Sequence, residues 1–284
     1  MHEGWSIILH GGAKTIEPDQ EQAHREGLRL ALVPGVLTLS QGGSALKAVE
    51  LVVRALEDIP CFNAGHSSVA NEAGKLELDA SIMDGATLDI GAIAGLEGFA
   101  NPVAVARALL EDKAVLLVGE GARKFALKRG FEADLVPFAA AKPRGCDTVG
   151  CVARDIHGNL AVATSTGGLE GAREGRVGDV VLPGCGFYAD NQRGGVSLSG
   201  EGEAIARTML ASAAIAGLHE IEAQEALEKA LRLVDRVGGE AGIIGISAAG
   251  EIAWCHNSSH FAVALASSTE PDGQIFLQRK KATP

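Results

Sequence analysis

The chain has 284 residues, enough for one large domain or two small ones and for a sizeable core of its own. Hydrophobic residues make up 46% and charged residues 21%, with Gly at 37 and Pro at 9, which excludes a collagen-like or disordered chain. Twenty-five basic against 36 acidic residues leave a net charge of −11, and the one basic cluster is Arg279, Lys280 and Lys281, so no stripe suited to a nucleic-acid backbone exists.

The longest apolar run, near residues 261–266, falls far short of the roughly 18 residues of a membrane span. The N-terminal stretch lacks a basic segment ahead of its apolar residues, so a chain that is not exported is expected. Cys61, Cys146, Cys151, Cys185 and Cys255 are odd in number, widely spaced and without a C-x-x-C pair, which suits neither a disulfide framework nor a zinc site and predicts a reducing cytoplasm. The high glycine content points to many tight turns or to a site lined by main chain.

Residues 5–9 read as a buried strand that ends in a turn at His10-Gly11-Gly12. A helix over 18–32 is expected to stop at Pro34-Gly35, and a second, over 44–58, has Ser44 as its N-cap and Leu46, Val49, Val53 and Leu56 on one face. Residues 76–83 and 88–96 read as paired strands, and Asn101-Pro102 opens another helix with Asn as cap. A strand over 114–118 and a helix over 121–129 precede an exposed linker at about 131–147, which holds Pro137, Pro143 and Gly145. Hairpins follow at 148–164, turning through His157-Gly158, and at 243–254, turning through Ala249-Gly250. Helices over 203–216, ended by Gly217, and 223–237 lie between them, and blocks of strands and helices in this order predict antiparallel sheet layered with helices.

The H-G-G sequence at 10–12 would suit an esterase only with a G-x-S-x-G nucleophile turn, which the chain lacks. Its eight histidines fall in no metal-binding spacing, and V-G-E-G-A at 118–122 lacks the third glycine of a dinucleotide fingerprint. More informative is Thr148, which opens a buried strand directly after the linker. By itself a β-branched residue there is a good strand former and nothing more. The following 60 residues, however, carry T-S-T-G-G at 164–168, G-R-V-G-D at 175–179 and S-G-E-G-E at 199–203.

This ordered set, with D-T-V-G-C-V-A at 147–153, resembles the plant-type asparaginase and isoaspartyl peptidase family of N-terminal nucleophile hydrolases. The N-terminal half agrees through I-L-H-G-G-A at 8–13, F-N-A-G at 62–65, L-E-L-D-A-S-I-M-D-G at 76–85 and N-P-V at 101–103, so the resemblance covers nearly the whole chain. It implies an α+β fold, a four-layer αββα sandwich of one domain over 1–284. Cleavage between Asp147 and Thr148 would mature it into fragments 1–147 and 148–284. Physical chemistry supports that step: a threonine hydroxyl needs a base, and an N-terminal amine of pKa about 7.7–8.0 on the same residue is a suitable one.

The resemblance also implies site roles. Thr148 is the nucleophile, Thr166 and Ser199 orient it and help form the oxyanion site with the N–H of Gly200, and Asn63 lies near the nucleophile. Arg176 and Asp179 hold a substrate's α-carboxylate and α-amino group, with the backbone of Gly168 facing the pocket. An Arg fork suits a carboxylate and an Asp suits an ammonium. The loop carrying Leu56, Glu57, Ile59, Phe62, Ala64 and His66 corresponds to one that binds a structural sodium ion through backbone carbonyls. No organic cofactor is implied. The expected partners are L-asparagine or a β-aspartyl dipeptide and a second processed unit in a homodimer.

Four features depart from the family pattern: Ser199 replaces a usual Thr, Lys14 a Gly, Glu201 a smaller residue or His, and residues 257–261 an N-T-x-G-M type segment. Glycosylasparaginases share the Asp-Thr junction and the cleavage chemistry, and a catalytically silent binding protein on the same fold is the alternative from another functional class.

Overall fold

The computed structural model describes residues 4–133 and 148–279. Asp147, and the expected linker beyond residue 133, lie outside the described residues. Among the described residues twelve strands and seven α-helices follow in chain order: β1 Ser6–Lys14, α1 Glu21–Ser40, α2 Ala45–Asp58, β2 Leu78–Asp84, β3 Ile90–Leu96, α3 Pro102–Leu109, β4 Leu116–Val118, α4 Gly119–Lys128, β5 Thr148–Arg154, β6 Leu160–Thr166, β7 Phe187–Asp190, β8 Gly194–Gly200, α5 Gly202–Thr208, α6 Leu210–Glu220, α7 Ala223–Asp235, β9 Ala241–Ser247, β10 Ile252–His256, β11 His260–Ser267 and β12 Glu270–Phe276.

One sheet has the order β12-β11-β1-β5-β6-β2-β3-β4 and the other β10-β9-β8-β7. All pairs are antiparallel except β3 with β4. Side chains alternate across each sheet, and both faces are covered. Ile7 and Leu9 of β1 pack with Leu28 of α1 and Val52 of α2. Ile8 between them joins Val152, Phe187, Ile244 and Trp254 in a core between the sheets. Val196 and Leu198 of β8 pack outward on Leu210, Leu227 and Val234 of the last helices. The layers are therefore helix, sheet, sheet, helix, the expected αββα sandwich.

The expected hairpins at His157-Gly158 and Ala249-Gly250 form β5–β6 and β9–β10. Ser44 caps α2, accepting the Lys47 N–H at 3.2 Å. Elsewhere tertiary contacts override local signals. The chain does not turn at His10-Gly11-Gly12, because β1 continues through it as a bulge against β11. Nor does α1 stop at Pro34-Gly35. Pro34 deprives only the Leu30 carbonyl of its donor, on the solvent side where Leu30 is 49% exposed, and Gly35 is buried where a Cβ would meet Ile7 at 2.5 Å.

The helix expected over 203–216 is two, broken at Met209 in the left-handed region (φ +48°). The first turn of α6 is satisfied from outside the helix: Ala211 and Ser212 donate to the carbonyls of Cys185 and Gly184. Its last turn runs past Gly217 to Glu220. At α3, Asn101 does not cap with its side chain, which donates to Asp58 instead. The Glu57 carboxylate accepts the Val103 N–H there at 3.1 Å.

Candidate active site

Thr148 stands at the first position of β5, in register with Thr166 of β6, which is in turn in register with Asp79 of β2. Residues in register across antiparallel strands project to the same face, so these three polar side chains line one row at the end of the large sheet. The row faces the second sheet, where Ser199 of β8 is fully buried. The Ser199 hydroxyl oxygen accepts two N–H groups, from Thr148 at 3.3 Å and from Ala13 at 3.0 Å. With both lone pairs used, its own proton is what remains to donate.

The sheets approach closely behind this point. A Cβ on Gly150 would lie 2.1 Å from the Ser197 hydroxyl and 2.6 Å from His10 Nε2, which explains glycine there. His10 and Ser197 hydrogen-bond at 2.9 Å in full burial. Burial, outweighing a backbone hydrogen bond with Thr148, pushes the imidazole down to about 3, so it is neutral.

A small pocket opens in front of Thr148, lined by Thr166, Gly168, Arg176, Asp179, Gly200 and Gly202 among others. The turn after β6 is held at both ends: Gly168 donates its N–H to Thr166 Oγ1 at 3.2 Å, and its carbonyl accepts Asn63 Nδ2 at 2.9 Å. Asn63 Oδ1 accepts the Val69 N–H, and the Asn63 carbonyl accepts that of Gly167. Asn63 itself is outside the pocket wall and reaches it through this turn.

Arg176 and Asp179 reach the pocket from the loop before β7. Asp179 opens a single 3-10 turn, Asp179–Val181, that Ser81 ties to β2 by donating to the Val180 carbonyl. Its Oδ2 is buried with no hydrogen-bond partner among the described residues. Burial pushes the carboxyl up to about 7, against the opposing effects of its own N–H and the Arg176 charge. Arg176 makes a bidentate pair with Glu203, Nε to Oε1 at 3.0 Å and Nη2 to Oε2 at 2.9 Å.

Three participants had no role assigned from sequence: Asp79, His10 and Glu203. Asp79 accepts the Gly95 N–H at 2.8 Å, and burial pushes it up to about 6 despite that bond, one from Gly178 and the Arg176 charge. An acid inside the apolar strand L-D-A-S-I-M was the available signal. Glu201 is exposed ahead of α5, donating its N–H to the Glu240 carbonyl, and it is not part of the pocket wall. In the atypical 257–261 segment, Asn257 Oδ1 accepts the N–H of Ala241, the strand partner of Gly200.

The family profile described as asparaginase matches residues 3–140 and 136–274. The chain belongs to the asparaginase family. It is 42% identical over 270 residues, 86% of each chain, to the isoaspartyl peptidase/L-asparaginase of Xenopus laevis, and 40% identical over 288 residues to that of Bos taurus, covering 91% of this chain and 92% of that one. The isoaspartyl peptidase of Escherichia coli strain K12 is 37% identical over 287 residues, 89% of each chain. Members of this family have the N-terminal nucleophile hydrolase fold, and this chain is a hydrolase of that class.

The expected sodium loop, with Leu56, Glu57, Ile59, Phe62, Ala64 and His66, begins at the end of α2. The carbonyls of Leu56, Ile59, Phe62 and Ala64 each accept one backbone N–H, from Ile59, Phe62, Ala64 and Ser67, and each oxygen has a second lone pair. Carbonyl oxygens are hard donors, the kind a hard cation takes. Among the described residues no cluster of three His, Cys, Asp or Glu side chains could hold a metal, and no helix is long and apolar enough to cross a membrane.

Proposed function

We propose that the chain hydrolyses the side-chain amide of L-asparagine and the isopeptide bond of β-aspartyl peptides, after self-cleavage between Asp147 and Thr148. The observation that carries this reading is the presence, in one pocket with Thr148, of the Arg176 guanidinium and of a buried carboxylate, Asp179, whose Oδ2 has no hydrogen-bond partner among the described residues. An ammonium would satisfy Asp179 and a carboxylate would meet Arg176, which together select the free α-end of an aspartyl unit. With that end held, the carbonyl left to face Thr148 is the one on the side chain.

Cleavage turns the Thr148 amide into an amine that can accept the hydroxyl proton. The hydroxyl oxygen attacks the side-chain carbonyl, and the Ser199 hydroxyl and the Gly200 N–H meet the developing oxyanion. Collapse expels ammonia or the leaving amine, which carries away the proton, and water then hydrolyses the aspartyl ester on Thr148. Thr166 orients the nucleophile, and Asn63 and Gly168 keep the adjoining turn in place.

A sodium ion held by the carbonyls of the 56–66 loop belongs to this reading and would stiffen the support beneath Asn63. A homodimer of processed units and a cytoplasmic setting complete it. The test is intact mass followed by a three-substrate assay. Fragments of 1–147 and 148–284 should appear on maturation, and β-Asp-Leu and L-asparagine should be cleaved while α-Asp-Leu is not. Equal cleavage of the α- and β-linked peptides would refute the clamp.

A further inference from the structure

A clamp made of one cation and one anion has an inherent fault: its two halves attract each other and can close without substrate. Arg176 and Asp179 are three residues apart on one loop, and the gap between them is narrow. A Cβ on Gly202 would lie 2.8 Å from Asp179 Oδ1 and 3.1 Å from Arg176 Nη2. Yet Asp179 Oδ2 remains buried with no hydrogen-bond partner among the described residues, while the Arg176 charge is close enough to act on the carboxyl. The guanidinium instead gives its Nε and Nη2 edge to Glu203.

Glu203 is not part of the wall of the Thr148 pocket. Arg176 borders both the pocket of Thr148 and an outer depression with Leu169, Ala172, Arg173 and Glu174, whereas Glu203 lines only the outer one. The Glu203 side chain is 67% exposed and that of Arg176 only 20%, so the carboxylate reaches in from solvent to a guanidinium fixed in the wall. A substrate carboxylate approaching from the Thr148 side would not contest that position.

We propose that Glu203 is a positioning residue that pulls Arg176 outward and holds the zwitterion clamp open, keeping the guanidinium from collapsing onto Asp179. This rests on the function proposed above for Arg176 and Asp179. Glu203 touches no reacting atom. Its effect passes through Arg176, so it acts on substrate binding and not on the chemistry at Thr148.

The test uses the matured protein, with processing checked by intact mass. E203Q replaces a bidentate ion pair by a single hydrogen bond from the guanidinium to an uncharged amide oxygen, and the KM for β-Asp-Leu should rise about tenfold while kcat changes by less than about threefold. Glu203→Asp, which keeps the charge, should recover part of the loss. In an Arg176→Lys background, which lacks the fork, E203Q should add little, because both changes act through one pair. Calorimetric binding of L-aspartate, the acid product, should weaken in parallel.

An unchanged KM in E203Q would overturn the proposal, leaving Glu203 a surface partner. A lowered KM would overturn it by making Glu203 a competitor for the fork. If wild type hydrolyses none of the substrates but binds L-aspartate, the proposed reaction falls and the E203Q binding measurement still decides the role of Glu203. If it does neither, both fall.

Discussion

Thr148 and the Arg176–Asp179 pair border the same pocket, but the chain holds them by different means. At the strand end, Thr148 is placed by register with Thr166, and its N–H meets a serine oxygen that also takes the Ala13 N–H. The hydroxyls there carry no charge, and the buried His10 behind them is neutral. Across the pocket, positions depend on charge: a buried carboxylate whose Oδ2 has no hydrogen-bond partner among the described residues, and a guanidinium between it and an exposed glutamate. A sheet fixes atoms to within its ladder geometry whatever the solvent, whereas charges respond to pH and salt. The difference assigns chemistry to the strand end and recognition to the loop.

The largest effect should come from the nucleophile. Thr148→Ala is expected to abolish both self-cleavage and hydrolysis, leaving a single mass near 29.2 kDa, while Thr148→Ser keeps part of each. Fragments in the Ala variant would remove Thr148 from the mechanism. Ser199→Ala should lower kcat by about 10² to 10³, with the circular dichroism spectrum retained, if its proton serves the oxyanion. An unchanged kcat would leave that task to Gly200 and other donors.

The recognition side should show smaller effects, concentrated in KM. Arg176→Lys should raise KM on the order of tenfold, since one ammonium cannot reproduce the fork. A loss confined to kcat would contradict the division drawn here. Asp179, with its carboxyl at about 7, should lose its hold on the substrate ammonium as pH falls through that value, so KM rises toward acid. Asp179→Asn should weaken binding and remove that dependence.

The same residue has the opposite effect on folding. Because its native pKa lies above the unfolded value, its ionisation opposes folding progressively as pH rises from about 4 to 7. Asp179→Asn should therefore raise the melting temperature at pH 8, by roughly 2–4 °C for each kcal/mol relieved. An unchanged or lower melting temperature would mean that the carboxylate finds compensation in the pocket. The smallest expected effect is that of salt: raising ionic strength from about 0.05 to 0.5 M should increase KM by a few-fold and leave kcat nearly constant.

Elements whose signal is local were legible before folding. The β5–β6 and β9–β10 hairpins follow from alternation around a Gly-containing turn, and α2 from a Ser cap and an apolar stripe. β8, G-G-V-S-L-S-G, was not legible, because glycine and serine suit a strand only where two layers press on it. Ser199 was found through the motif alone, and its two N–H donors come from β1 and β5, 186 and 51 residues away. Glu203 was quoted within S-G-E-G-E without a role, because nothing near it in the chain indicates that its partner is Arg176.

By itself the order of the motifs determined the family, the reaction class and the residues worth testing, because side-chain chemistry is written in the residue types. Tertiary structure alone decided how those residues act on one another. It carried β1 straight through His10-Gly11-Gly12, where a Cβ on Gly11 would lie 2.2 Å from the Phe62 ring, and it took the capping of α3 from Asn101 and gave it to Glu57. It also left Asp179 Oδ2 without a hydrogen-bond partner among the described residues, beside an arginine paired with Glu203. Each of these depends on burial and on distances between segments far apart in the chain, and neither quantity exists until the layers have packed.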